Sequence, residues 1–160
     1  MSTTGGDRHS AERPGDRGPS NVLFDAWLVS RSVHQLIDTT IEASGLDADE
    51  FAVYSVLASG EGLTPSELAH WMAAATTTVS SYVKRFERRG HITRVPNADD
   101  GRSYRLQLTA AGRDAHRHAG ELVTPLLPHT EETLGAHAQS VHAQLLMLLQ
   151  AVDAIRDKHA

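Results

Sequence analysis

The chain has 160 residues, 40% of them hydrophobic and only 5% aromatic, with a formal net charge of −5 and no cysteine. That length suits one domain, or a core with appended helices that pair with a second copy. The missing cysteines exclude disulfides, thiolate metal sites and thiol redox sensing, the few aromatics exclude a stacking platform for single strands, and the lack of an apolar run near the roughly 20 residues of a membrane span predicts a soluble, cytoplasmic protein.

Residues 1–19 are rich in Gly, Ser, Thr, Pro, Arg and Asp with almost no apolar side chains, and are expected to form a disordered tail. From Asn21 to Ala43 the residues Leu23, Trp27, Val33, Ile37 and Ile41 recur at helical spacing, Leu28 and Leu36 widen the stripe, and Gly45 supplies the stop. A stripe this wide implies burial against more than one neighbour, a partner subunit being one candidate. Asp47-Ala48-Asp49-Glu50 reads as a cap with an acid three residues on, opening a second helix that runs to Ser59-Gly60. Thr64-Pro65-Ser66-Glu67 is the strongest local signal, a capping box with proline at the first helical position. It opens a short third helix through Trp71 and Met72.

A small-residue junction, Ala73-Ala74-Ala75, leads into a fourth helix that ends at Arg89-Gly90. His91–Val95 and Ser103–Leu108 both alternate and flank a polar connection, which predicts a hairpin with a loop longer than two residues. Thr109 caps a further helix, Pro125 and Pro128 must kink or interrupt the helical pattern beyond it, and Gly135 separates a last helix rich in Leu and Val.

The order of elements is that of a winged helix-turn-helix, and the charge is distributed to match. Residues 64–108 hold seven basic and four acidic side chains, whereas residues 1–63 hold four and ten, and residues 109–160 hold four and six. A basic middle between acidic ends is the footprint of a DNA-contacting module in a scaffold that does not touch phosphate. On the fourth helix Val79, Tyr82, Val83 and Phe86 share one face, which leaves Thr76, Thr77, Thr78, Ser80, Ser81, Lys84, Arg85 and Arg88 for the outer faces. Hydroxyls can donate to or accept from base edges, and cations farther along a helix leaving the groove meet phosphates. Arg102 at the hairpin tip is a candidate for a narrow minor groove, with Arg94 on the strand before it. Asp100 is expected to pair with and orient Arg102 or Arg94, and Glu87 is assigned a structural role.

Residues 64–109 resemble the MarR family of bacterial regulators. The matching stretches are Pro65-Ser66-Glu67-Leu68-Ala69, Thr78-Val79-Ser80, Val83 through Gly90, and the wing Asn97-Ala98-Asp99-Asp100-Gly101-Arg102-Ser103 closing with Leu106 through Gly112. The fold class expected is mainly α (α+β), a single domain over 20–160 with a winged lobe at 47–109. The resemblance implies N- and C-terminal dimerisation helices at 21–44 and 113–158, a homodimer on a near-palindromic double-stranded operator, and repression released by a small aromatic ligand. It also implies association with the nucleoid. The sequence departs from the commoner pattern at Ala75-Thr76-Thr77, where the turn into the fourth helix often carries a Ser cap followed by Arg.

Phe24, Trp27 and Trp71 are the candidates for a ligand cavity, with core packing as the competing account. Two other functions stay open: a winged-helix module for protein contact, and a metal-responsive regulator using some of the ten histidines. His116 and His118 would diverge on a helix, and His137 and His142 also fit one face poorly, so no metal site or cofactor is assigned. No nucleophile elbow, phosphate loop or metal triad appears, which argues against an enzyme.

Overall fold

A computed structural model describes residues 21–60, 62–98 and 100–159, so the tail expected at 1–19 lies outside the described residues. The side chain of Asn21 accepts from the Leu23 and Phe24 N–H groups and starts α1 (Val22–Ile41), which tightens into a 3-10 turn at Glu42–Ser44 and stops at the left-handed Gly45. Asp47 and Glu50 cap α2 (Ala48–Ala58) reciprocally, and Thr64 and Glu67 do the same for α3 (Pro65–Trp71). Each box satisfies N–H groups that the first helical turn leaves without partners. Between α3 and α4 (Thr76–Arg88) the chain turns through Ala73, which has φ 49°, a left-handed conformation that alanine adopts only at a cost. Gly90, at φ 68°, closes α4 without that cost.

The wing is an antiparallel pair, β1 (Ile92–Pro96) and β2 (Tyr104–Leu108), in register from Ile92 opposite Leu108 to Pro96 opposite Tyr104. Leu63 adds a bridge on the other edge of β2, exchanging backbone hydrogen bonds with Leu106 at 3.3 and 2.7 Å. Thr109 caps α5 (Ala110–Val123). Pro125 then separates α5 from α6 (Leu126–Leu134), while Pro128 fits inside the first turn of α6, where no N–H partner is required. The left-handed Gly135 ends α6, and after a short 3-10 turn α7 (Ala138–His159) runs to the end of the described chain.

The core lies in the middle of the chain. Ile41, Leu46, Val53, Tyr54, Leu57, Leu68, Val79, Val83, Phe86, Ile92, Leu106, Leu108 and Ala119 form one buried cluster joining α2, α3, α4, α5 and the wing. Each large side chain buried there contributes about 1.5–3 kcal/mol relative to exposure. At Gly112 a Cβ would collide with the His91 carbonyl oxygen, so α5 sits directly on backbone where β1 begins. Thr109 reinforces the joint, its hydroxyl donating to the Gly90 carbonyl at 2.6 Å and its N–H to that of His91 at 2.9 Å. Outside this cluster the burial is sparse: α1 buries only Ile41, and α6 and α7 bury nothing. No described helix is long and apolar enough to cross a membrane.

Candidate nucleic-acid interface

The 3.6-residue period of α4 divides its side chains into two sets. Val79, Val83 and Phe86 are buried, with the Phe86 ring edge-on to Tyr54 at 4.8 Å and stacked by Tyr82 at 5.7 Å. Thr76, Thr77, Thr78, Ser80, Ser81, Lys84 and Arg88 are exposed. Ala75 offers no capping side chain and the first turn holds no acid, so the positive end of α4 keeps its field. The Ser81 hydroxyl donates to the Thr77 carbonyl at 3.1 Å, which leaves its lone pairs outward. Lys84 and Arg88 make no ion pair among the described residues.

Arg85, expected on the outer face, is half-buried and engaged by two carboxylates. Its Nε lies 2.9 Å from Glu50 Oε1 and its Nη2 3.7 Å from Asp47 Oδ2, with the guanidinium 5.0 Å above the Tyr82 ring. The N–H is not aimed along the short Nε–Oε1 line, so the pairing is electrostatic rather than directional. Arg89 donates to Glu50 Oε2 at 2.9 Å, and the Asp47 N–H reaches the same oxygen at 3.2 Å. Glu50 is only 1% exposed, and a carboxylate buried that deeply requires such compensation. Burial above all, with the nearby Glu50 charge, pushes the Tyr54 phenol up to about 12 against the opposing pull of Arg89. Tyr54 also shares a 2.9 Å hydrogen bond with His91 Nδ1. Sequence reasoning took Glu50 as a helix cap alone; nothing local to it signals partners on another helix.

In the wing, Arg94 donates to both Glu87 oxygens, at 2.6 and 3.0 Å, and lies 4.5 Å over the Tyr104 ring, so it braces β1 to α4. The bond to Glu87 holds its guanidinium above the usual arginine value. Asp100 does not orient either arginine head group. Its carboxylate accepts the Arg102 backbone N–H at 3.0 Å, and its carbonyl accepts from the N–H and hydroxyl of Ser103 at 2.9 and 3.1 Å. A short carboxylate this close to the turn reaches backbone before it reaches a guanidinium. The turn presents Arg102 exposed at the tip.

Asn97, 8% exposed, donates to the Ser103 hydroxyl at 2.8 Å and accepts from Arg105 Nε at 3.1 Å. Arg105 continues to the Gly62 carbonyl at 3.0 Å and lies 3.9 Å from Glu67. This chain ties the wing to the start of α3. Asn97 was legible only as a turn residue, and the reach of Arg105 across the fold had no local signal.

The proposed ligand residues are not gathered. Phe24 and Trp27 stack at 6.0 Å near the start of α1, whereas Trp71 ends α3 in the winged lobe, and Trp27 and Trp71 are 56% and 63% exposed. A cavity of about 600 Å³ does open between α1 and α7, but it is lined by Val22, Ala26, Val29, Leu145, Leu148 and their neighbours, with none of those three aromatics. Among the described residues no three His, Cys, Asp or Glu side chains converge as a metal site requires. His116 instead stacks on Phe51 at 5.3 Å and meets the Ser55 hydroxyl at 3.0 Å, and burial holds its pKa below the ordinary 6.5.

Residues 44–103 match the model of the MarR family. The chain is 26% identical over 97 residues to the transcriptional activatory protein BadR of Rhodopseudomonas palustris, across 59% of this chain and 55% of that protein, so it spans about half the length of that relative. The Mycobacterium tuberculosis transcriptional regulator MosR in complex with DNA superposes with a TM-score of 0.72 at 26% identity, covering 86% of this chain and 99% of MosR. CouR from Rhodococcus jostii, bound to p-coumaroyl-CoA, shares the fold with a TM-score of 0.72 at 20% identity, covering 84% and 92%.

Proposed function

We propose that this chain is a winged helix-turn-helix transcriptional regulator of the MarR type, which binds double-stranded DNA as a homodimer and controls transcription without catalysing a reaction. One observation carries the reading: α4 exposes a continuous set of hydroxyl and basic side chains, while Arg85, Arg89 and Arg94 are tied into the protein. In this reading Thr76, Thr77, Thr78, Ser80 and Ser81 face base edges in the major groove, and Lys84 and Arg88 meet phosphates. Arg102 enters the flanking minor groove, where its width is read electrostatically. The exposed apolar faces of α1, α6 and α7 pair with a second copy, which sets two recognition helices on a near-palindromic site. Repression by occupying the promoter is the proposed sense of control. A small aromatic ligand is proposed as the releasing signal, supported by the bound state of CouR.

Selection from a random duplex pool, followed by anisotropy titration at several salt concentrations, tests the reading. Affinity for the selected duplex falls steeply with salt as basic side chains release phosphate counterions. Lys84→Ala lowers the log–log salt slope by about 1 for every duplex, whereas Arg102→Ala weakens the selected duplex about 10-fold. An Arg102→Ala variant that binds as the parent does removes the wing from the interface. Failure to select any duplex favours the protein-contact reading instead.

A further inference from the structure

Asp49 stands in the first turn of α2 with a helix on either side. Its Oδ1 lies 3.6 Å from Nδ1 of His34 on α1, and its Oδ2 accepts the phenol of Tyr82 on α4 at 3.0 Å. His34 is fixed from behind by Asp38, whose Oδ2 is 3.2 Å from Nε2, and Asp38 in turn accepts the Ala48 N–H at 2.6 Å. A polar line therefore runs from α1 through the start of α2 to the helix that presents the exposed Thr, Ser, Lys and Arg set. Burial, followed by the hydrogen bond to Asp49, pushes the Tyr82 phenol up to about 12, so it remains a donor throughout the neutral range.

None of these side chains is fully buried, and exposed pairs of this kind add only about 0–1 kcal/mol to stability. Their effect is directional. The Val79, Val83 and Phe86 contacts hold α4 against the core, but apolar packing sets distance more firmly than rotation about the helix axis. The Arg85 and Arg89 contacts to Glu50 fix the C-terminal half. The Tyr82–Asp49 bond is the polar tie nearest the half proposed to face bases. A roll of about 20° moves a side-chain tip at ~5–6 Å from the axis by roughly 2 Å. Pre-organised sites tolerate only about 0.5 Å.

We propose that Asp49 is a positioning residue for α4, and that through His34 it couples the roll of α4 to the placement of α1. The proposal rests on the reading of α4 as the DNA-reading helix. It is tested on the full chain with the duplex selected by the parent protein and a scrambled duplex of the same composition. The readout is the ratio of the two affinities. Asp49→Ala and Tyr82→Phe each reduce that ratio about 3- to 10-fold, and the double variant falls no further, because both remove one hydrogen bond. Tyr82→Phe preserves ring packing, so it reports even if Asp49→Ala disturbs the start of α2. His34→Ala reduces the ratio about 2-fold in the parent and leaves it unchanged in the Tyr82→Phe background.

Removing an acid near phosphates would, by charge alone, tighten both duplexes equally. That result, with the ratio unaltered, overturns the proposal, as do additive losses in the double variant. A parent protein that selects no duplex overturns the underlying reading, which is a different failure.

Discussion

The winged lobe and the terminal helices use apolar residues at the same helical spacing, yet dispose of them in opposite ways. In the lobe, Val53, Tyr54, Leu57, Leu68, Val79 and Phe86 are buried against one another and against the wing. On α6 and α7, Leu127, Leu145, Leu146, Met147, Leu149 and Ile155 stay roughly half exposed or more, and Val22, Leu23 and Trp27 do so at the start of α1. Polar groups divide likewise: the lobe holds a buried carboxylate with two arginines, whereas α7 carries a local pair, Arg156 with Asp153 at 3.0 Å. The lobe is thus a structure that closes on itself, and the ends expose the apolar faces proposed above to pair with a second copy. An exposed apolar area of this extent is uncommon on a monomer.

The largest way to break that contrast is to charge the terminal face. Leu145→Asp together with Leu149→Asp yields a monomer in sedimentation and weakens binding to the selected duplex at least about 100-fold, because the two half-sites lose their linkage. The far-ultraviolet signal of the lobe persists. A double variant that stays dimeric would place the partner surface elsewhere. Next in size is Glu50→Gln, which leaves Arg85 and Arg89 without their counter-charge. It lowers lobe stability by about 2 kcal/mol in urea unfolding, short of the ~3–5 of a wholly buried pair because both arginines reach solvent. Dimer affinity stays unchanged, since no terminal helix supplies a partner to Glu50.

The smallest effect concerns His116, whose folded pKa lies below 6.5 because burial disfavours the charged ring. The unfolded chain therefore takes up the proton first. The stabilisation tied to the neutral ring is complete above pH 6.5 and is lost as pH falls from there through the folded value. Melting temperature declines over that window in the parent, and His116→Phe, which keeps the stack on Phe51, declines less. Equal slopes would mean that other groups set the acid limb.

Caps and chain reversals were readable from local chemistry because each depends on a few neighbouring residues. Asp47 with Glu50, Thr64 with Glu67, and the stops at Gly45, Gly90 and Gly135 all stand where their residue types require. The outward set on α4 was readable for the same reason, since helical period alone separates Thr76 and Lys84 from Val79 and Val83. What period cannot tell is which cation on a helix flank finds an acid. Lys84 and Arg85 are adjacent in sequence, yet only Arg85 meets Glu50, 35 residues earlier and on another helix. The Arg94 pair had no local signal because its partner Glu87 lies across a strand–helix corner, and Asp100 turns to the backbone because N–H groups compete with guanidinium for a short carboxylate. Phe24, Trp27 and Trp71 were grouped by residue type, a property that carries no distance.

The seat of α5 at Gly112 has a mechanical consequence. With no side chain between helix and backbone, nothing at that joint can be compressed or change rotamer, and the Thr109 and Arg113 bonds to Gly90, His91 and Leu108 pin it on both sides. The 14 residues of α5 make a rod about 21 Å long. A rod clamped so stiffly at one end works as a lever: a small tilt imposed beside Pro125 arrives at the hairpin as rotation, with little of it absorbed in bending at the clamp.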